Sequence, residues 1–144
     1  MQEERLARLV DEAELRRTAE LYAQGADRRD KATWASVIAA DCVIEAPGIR
    51  LSGREQILAA LDVMAKLYIA TQHRVHNQTV NIEGERASGE TYSIADHLSV
   101  VDGRKMLLTW AIRYQDRWRH EEGAWRFTNR TLILDWTETR ALQG

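Results

Sequence analysis

The sequence predicts an α+β fold in which three helices precede a strongly curved, largely antiparallel sheet, and three observations support this class. Apolar residues recur at helical spacing in three segments before residue 70. After residue 70 the period changes to two, in four long segments. The short sequences EGE, VDGR and HEEGA separate these segments and are typical of hairpin turns. The 144 residues contain no internal repeat or linker, so we expect one domain with its core at about residues 10–137.

The first helix is predicted over residues 11–25. Asp11 offers an N-cap, Glu14 follows three positions later as in a capping box, and Gly25 stands just past the end. The apolar stripe of this helix consists of Leu15, Ala19 and Tyr22. Residues 1–10 either extend this helix or form a separate arm.

Two shorter helices are predicted next. The segment KATWASVIAAD has helical spacing and stops at Asp41. After a short strand in CVIEA and the irregular segment PGIRLSG, Ser52 would cap a third helix and Glu55 would complete its capping box. The buried face of this helix would carry Ile57, Leu58, Leu61, Met64 and Tyr68.

Four long strands are predicted at roughly residues 73–83, 86–101, 105–120 and 124–136. Strands of this length exceed the usual five or six residues, so the sheet must twist and curl. A curled sheet has a concave side, and helices that cover this side leave a pocket between the layers. Such a pocket suits a small apolar ligand.

Composition excludes several classes of partner. A formal net charge of −2 and an isoelectric point near 6.1 give no general attraction to nucleic acid or to anionic membranes.

The charged start of the chain lacks the apolar run of a secretory signal, so we expect a cytoplasmic protein. Cys42 is the single cysteine, which excludes an intrachain disulfide. The sequence has neither a His-x-x-x-His pair nor a Gly-rich phosphate loop, so no metal and no cofactor are expected.

Four segments, in this order and spacing, carry a resemblance to a known family: LYAQGADRRD, LSGREQILAAL, TQHRVHNQTVNIEGERASGETY and RYQDRWRHEEGAWRFTNR. Together they resemble the SnoaL-like branch of the cone-shaped, NTF2-like α+β superfamily. Its members include scytalone dehydratase, steroid isomerases, polyketide cyclases and a dehydrochlorinase, but also transport factors and structural subunits without catalytic activity. The resemblance implies this fold and a homodimer or homotrimer, but the fold alone does not determine the function.

The resemblance also implies a pair of catalytic residues, Asp27 and His73. In scytalone dehydratase and the dehydrochlorinase, an aspartate at the position resembling Asp27 holds a histidine at the position resembling His73. Such a carboxylate fixes the tautomer of the imidazole and supports the imidazolium that forms when the ring accepts a proton. The alternative is an exposed aspartate and an edge-strand histidine that never meet.

Strand alternation assigns two further candidates to a pocket wall. Asn77 shares the face of His73 if the period of two continues, and it would donate to a ligand oxygen or form an ordinary strand-edge hydrogen bond. His97 shares its face with small residues, which suits a pocket wall. The resemblance makes His97 the candidate for the second histidine that scytalone dehydratase takes from this part of its sheet.

Three more residues are candidates for ligand contact. Tyr22 would orient an oxygen substituent or simply pack, and Tyr114 lies in an apolar stripe that suits a pocket wall or the core. Arg130 resembles an arginine that lines the pocket of the dehydrochlorinase, and it would pair with a substrate oxygen, with Asp27 or with a surface carboxylate. The dehydrochlorinase carries a lysine where Tyr22 stands, which argues against loss of chloride here.

Two functions therefore fit the sequence. The first is a cofactor-independent lyase or isomerase, of dehydratase type, that removes a proton from a small hydrophobic cyclic substrate. The second is a ligand-binding or structural subunit without chemistry, for which the segment RYQDRWRHEE would serve as a subunit contact.

Overall fold

The computed structural model of the protein describes residues 1–143, which form three helices and six strands. The elements in chain order are α1 (Gln2–Arg28), α2 (Lys31–Val37), β1 (Ile38–Ala46), β2 (Ile49–Ser52), α3 (Arg54–Leu67), β3 (Ala70–Glu83), β4 (Arg86–Val101), β5 (Arg104–Glu121) and β6 (Ala124–Ala141). The strands form one sheet in the order β2-β1-β6-β5-β4-β3. Every neighbouring pair is antiparallel except β1 and β6. The predicted α+β class, with helices packed on a curved and largely antiparallel sheet, is confirmed.

Helix α1 is longer than predicted at both ends. Residues 1–10 extend it rather than forming an arm, so Asp11 is not an N-cap; its carboxylate accepts a hydrogen bond from Trp125 Nε1 at 3.0 Å. Gly25 lies inside the helix and not past its end. Its lack of a side chain makes room for Trp34, since a Cβ there would be 2.5 Å from Cδ1 of Trp34. The helix is capped by Arg29, in a left-handed conformation with φ 52° and ψ 41°.

Helix α2 is shorter than predicted, because the chain becomes a strand at Ile38 and not after Asp41. Ile38 is fully buried and pairs with Phe127 on β6, and this burial in the sheet overrides the local helical spacing. The segment expected to be irregular also contains β2, which pairs with β1 across a turn at Gly48, where φ is 75°.

Helix α3 begins without the predicted capping box. Gly53 is the N-cap residue, and the side chain of Gln56, not of Glu55, accepts the Ser52 N–H at 2.9 Å. Ile57 and Leu61 of the predicted apolar face are buried in the core, and Leu58 and Met64 pack against it. Tyr68, which was predicted to belong to this face, lies past the end of the helix as its C-cap residue.

The long strands β3 to β6 match their predicted positions, with β6 running five residues further. The turns after β4 and β5 contain Asp102-Gly103 and Glu122-Gly123, and all four residues have positive φ. This conformation matches the twist of hairpin strands.

One core cluster joins the helices to the inner face of the sheet. Trp118 belongs to it, with 1% of its surface exposed, and its Nε1 donates to Thr18 Oγ1 on α1 at 2.9 Å. The suggestion that the segment around Trp118 serves as a subunit contact is therefore wrong for this side chain. Within residues 1–143, no helix combines the length and the apolarity needed to cross a bilayer.

Gly89 on β4 lies so close to the backbone of β3 that a side chain has no room there. A Cβ at this position would lie 2.2 Å from the carbonyl oxygen of Thr79 on β3. Without the clash, Gly→Ala in a strand would stabilise the protein by up to about 1 kcal/mol. We expect Gly89→Ala to lower the free energy of unfolding by roughly 1–3 kcal/mol, because backbone must move. Urea denaturation measures this, with Ser88→Ala on the exposed face as control; equal stability of the two variants would contradict the packing.

Candidate active site

Asp27 and His73 meet where the last turn of α1 crosses the beginning of β3. Asp27 Oδ1 lies 2.6 Å from Nδ1 of His73. The backbone N–H of His73 also donates to the same carboxylate, at 2.9 Å to Oδ2 and 3.1 Å to Oδ1. Both side chains are largely buried, with 8% of the His73 side chain and 23% of the Asp27 side chain exposed. The alternative in which these residues never meet is therefore wrong.

The contact determines which ring nitrogen of His73 carries the proton. Burial alone would raise the pKa of the Asp27 carboxyl, but the hydrogen bonds from the His73 side chain and backbone lower it below its ordinary value. An ionised carboxylate only accepts hydrogen bonds, so the proton lies on Nδ1. In the neutral form of the ring, the other nitrogen, Nε2, then keeps its lone pair.

His73 lines a large cavity between the helices and the sheet, with a volume of about 750 Å³. The polar side chains at its inner end include His73, His97 and Tyr22. Its apolar walls include Trp34, Leu51, Val63, Met64, Leu67, Trp110, Leu132 and Leu134. A cavity of this size and character accommodates a small, mostly apolar molecule.

His97 faces the same cavity from β4, as its strand parity predicts. It is 2% exposed, and its ring lies between Trp110, at 4.2 Å between centroids, and Tyr68, at 4.7 Å. Its Nδ1 is 3.1 Å from the carbonyl oxygen of Leu108, which can only accept, so Nδ1 carries a proton. Burial lowers the pKa of His97, and the neutral ring therefore presents an unprotonated Nε2.

A much smaller recess, which we call the inner chamber, lies beside the cavity; its volume is about 10 Å³, about the space of one water-sized atom. Tyr22 and His73 line both spaces and mark their junction. The remaining polar walls of the inner chamber are Thr91, Ser93, Tyr114 and Arg130. Burial raises the pKa of both Tyr22 and Tyr114, so these phenols stay protonated and are hydrogen-bond donors.

Arg130 is fully enclosed, and its partner is Asp116. Nε and Nη2 of Arg130 donate to the two carboxylate oxygens of Asp116 at 2.8 and 3.2 Å. The guanidinium also lies 3.7 Å from the ring centroid of Tyr114 and 4.4 Å from that of Tyr22. The predicted surface ion pair and the predicted bond to Asp27 are therefore both wrong for Arg130. Sequence reasoning missed Asp116, although a carboxylate in the inward stripe of β5 signals a buried partner.

Asn77 does not reach the cavity, contrary to the prediction that it shares a face with His73. The pairing of β3 with β4 shifts between Val75 and Gln78, so a bulge inserts an extra residue and resets the alternation. Asn77 is consequently exposed. Gln78 points inward in its place and donates to Thr91 Oγ1 at 3.0 Å.

The sequence pattern of the SnoaL-like domain matches residues 7–131 of the chain. The protein belongs to the SnoaL-like family. No curated protein matches it by sequence comparison. Solved structures similar to this SnoaL-like protein share its fold at low sequence identity.

Three of these structures illustrate the similarity. A protein of Novosphingobium aromaticivorans, provisionally named a scytalone dehydratase, is 20% identical, with 94% of this chain and 91% of that chain covered and a TM-score of 0.82. The hexachlorocyclohexane dehydrochlorinase LinA-type3 of Novosphingobium barchaimii LL02 is 19% identical, with 96% and 94% covered and a TM-score of 0.82. The Kfla4162 protein of Kribbella flavida is 21% identical, with 90% and 93% covered and a TM-score of 0.80.

The buried pair of this SnoaL-like protein gives a stability prediction. Arg130→Met leaves the Asp116 carboxylate buried without its partner, and we expect a loss of roughly 3–5 kcal/mol in the free energy of unfolding. The double variant Asp116→Leu/Arg130→Met removes both charges, so we expect it to lose less than the single variant. Urea denaturation at neutral pH measures both; a double variant at least as unstable as the single one would refute the pairing.

His97 gives a pH-dependent prediction. In the unfolded chain it titrates near 6.5, and in the folded protein its pKa is lower. As pH falls below 6.5 the unfolded state binds a proton that the native state does not. The free energy of unfolding should therefore decrease, by at most about 1.4 kcal/mol per pH unit. We expect His97→Gln to flatten this dependence between about pH 8 and pH 5 in urea denaturation, whereas His76→Gln, at an exposed position, keeps it. An unchanged slope for His97→Gln would contradict the burial of a neutral ring.

Proposed function

We propose that this SnoaL-like protein is a cofactor-independent lyase or isomerase of dehydratase type, which removes an acidic C–H proton from a small, mostly hydrophobic, cyclic substrate. One observation carries the proposal. The Nδ1 of His73 is fixed by the buried Asp27 carboxylate, and the ring lines an apolar cavity. A neutral imidazole held in this way has the geometry of a general base.

In this proposal His73 takes the proton on Nε2 and Asp27 stabilises the imidazolium that results. The carboxylate is already ionised and hydrogen-bonded before the reaction, so little reorganisation accompanies the formation of positive charge on the ring. A substrate that fills the space between the apolar walls would displace water from beside the pair, which would strengthen the electrostatic interaction between them.

The large cavity and the inner chamber share Tyr22 and His73 in their walls, and this suggests how the substrate would be oriented. Its hydrocarbon ring would occupy the large cavity, and a carbonyl oxygen would enter the inner chamber near Tyr22 and Tyr114. Loss of the proton leaves a carbanion whose electrons move onto this oxygen. The two protonated phenols, with the Arg130 guanidinium packed against their rings, would stabilise the negative charge.

Dehydration is the reaction we favour within this class. After the C–H bond breaks, the electron pair on the carbanion would form a C=C bond as the adjacent C–O bond breaks, and the departing hydroxide would take the proton held on Nε2 of the His73 imidazolium and leave as water, which restores the neutral base. The unprotonated Nε2 of His97 is suited to accept a hydrogen bond from the substrate hydroxyl and orient it. Return of the proton to another carbon would instead give an isomerase.

The comparisons support an elimination in a general way. The names of two similar structures mention a scytalone dehydratase and a hexachlorocyclohexane dehydrochlorinase. Both names describe elimination reactions, which lyases catalyse. The phenol of Tyr22, in place of the lysine that the dehydrochlorinase resemblance implies, favours an oxygen substituent over a chloride. We further propose that the protein acts without metal or cofactor, in the cytoplasm, as a homodimer or homotrimer.

A test needs neither the natural substrate nor a cofactor. A panel of cyclic ketones and β-hydroxy ketones is incubated with the protein in deuterated water, and proton NMR follows exchange at the acidic carbon and loss of the hydroxyl. We expect Asp27→Asn and His73→Ala each to reduce the rate by about 10²–10⁴-fold, because each removes part of the general base. His76→Ala is the matched control, since His76 is an exposed histidine on the same strand.

The outcomes separate the two candidate functions. Unchanged exchange in both the Asp27 and His73 variants would refute the general-base pair. Tight binding of a panel member without exchange or turnover would favour the ligand-binding subunit instead.

A further inference from the structure

The Asp27 carboxylate receives a hydrogen bond that does not come from His73. Thr71 Oγ1 donates to Asp27 Oδ1 at 3.0 Å, and Nη1 of Arg29 donates to the same Thr71 oxygen at 2.8 Å. Nη1 of Arg29 also lies 2.6 Å from the carbonyl oxygen of Ala26 in the last turn of α1. We call Arg29 and Thr71 the relay.

The chemistry of the groups gives the relay a single direction. A guanidinium only donates hydrogen bonds, so the Thr71 oxygen accepts from Arg29. A carboxylate only accepts, so the one hydroxyl proton of Thr71 points at Asp27. Oδ1 of Asp27 therefore faces the Thr71 hydroxyl and the Nδ1–H of His73, and it is fixed from two sides.

The backbone of Arg29 is a second and independent sign of a special role. Its φ of 52° is in the left-handed region, which glycine adopts without cost at a helix end. The other positive-φ residues with side chains, Asp102 and Glu122, lie in hairpin turns directly before glycines. Arg29 instead ends the helix that carries Asp27, and its side chain reaches Thr71 from there. Strained residues of this kind are concentrated at functional sites.

We propose that Arg29 and Thr71 are positioning residues that hold the ionised Asp27 carboxylate against Nδ1 of His73, and so select the tautomer of the neutral ring in which Nδ1 carries the proton and Nε2 does not. The catalytic consequence rests on the proposed function of His73 as a base. The relay itself touches neither the large cavity nor the inner chamber.

The charged and titratable groups around the pair come from several elements. His97 on β4 meets the His73 ring edge-on at 6.0 Å between centroids. The inner chamber, which His73 lines, also has Tyr22 on α1, Tyr114 on β5 and Arg130 on β6 in its walls. Burial raises the pKa of Asp27, and the hydrogen bonds from His73 and from Thr71 lower it. Loss of the Thr71 hydroxyl should therefore raise the pKa of Asp27.

Thr71 offers a matched pair of variants. Thr71→Val keeps the shape of the side chain without its hydroxyl, and Thr71→Ser keeps the hydroxyl. Carbon-13 NMR of the Asp27 carboxyl and nitrogen-15 NMR of the His73 ring measure both effects without any substrate. We expect Thr71→Val to raise the pKa of Asp27 and to give a mixture of His73 tautomers, and Thr71→Ser to restore the wild-type spectra. Wild-type spectra for Thr71→Val would overturn the proposal.

Arg29 offers a variant that is compatible with the fold, because Arg29→Gly suits the left-handed backbone while removing the guanidinium. We expect this variant to fold and to show the same NMR changes as Thr71→Val. In the exchange assay kcat should fall by about 10 to 100-fold with KM nearly unchanged, since the cavity is intact and only the alignment of the base is lost. If KM or kcat falls while the NMR spectra stay unchanged, Arg29 does not act by positioning Asp27 and His73, and the proposal is refuted. If the wild-type protein turns over no substrate, the proposed function fails, and the NMR spectra still decide the relay.

Discussion

The hydrogen bond between Asp27 and His73 constrains the geometry of the whole inner end of the molecule. It joins the last turn of α1 to the beginning of β3, which are 46 residues apart in the chain. To reach His73, α1 must continue past Gly25, and the absence of a side chain at that glycine leaves room for Trp34 against the helix. Trp34 then stacks on Tyr22, with 4.6 Å between ring centroids, and donates to the Tyr22 carbonyl. One polar contact thus aligns a wall of the cavity.

The buried charges lie at one end of the cone, and the apolar lining lies at the other. The ion pair of Asp116 and Arg130 lies in the core, where each group is 2% exposed and each is hydrogen-bonded to the other. Burying such a pair stabilises little by itself, but it places a guanidinium against the phenol rings of Tyr22 and Tyr114. Towards the other end of the cavity the lining is apolar. The arrangement suits a substrate with a hydrocarbon body and one oxygen.

Much of the fold was predictable from the sequence, because long strands with period two and the turns between them specify the sheet. The resemblance to the SnoaL-like family brought Asp27 and His73 together, which spacing alone does not. The failures have physical causes in particular residues. A bulge after Val75 moved Asn77 to the surface, and pairing with β6 turned Ile38 from helix into strand. Asp116, Thr71 and Arg29 were missed because their roles depend on contacts distant in sequence.

The position of one proton on the His73 ring distinguishes a base oriented by Asp27 from an ordinary buried histidine. Neutron diffraction from a deuterated crystal at about pH 8, above the ordinary range of histidine, locates this proton without reference to any substrate. We expect deuterium on Nδ1 of His73, directed at Asp27, and none on Nε2. Deuterium on Nε2 with a bare Nδ1, or on the Asp27 carboxyl, would contradict this expectation.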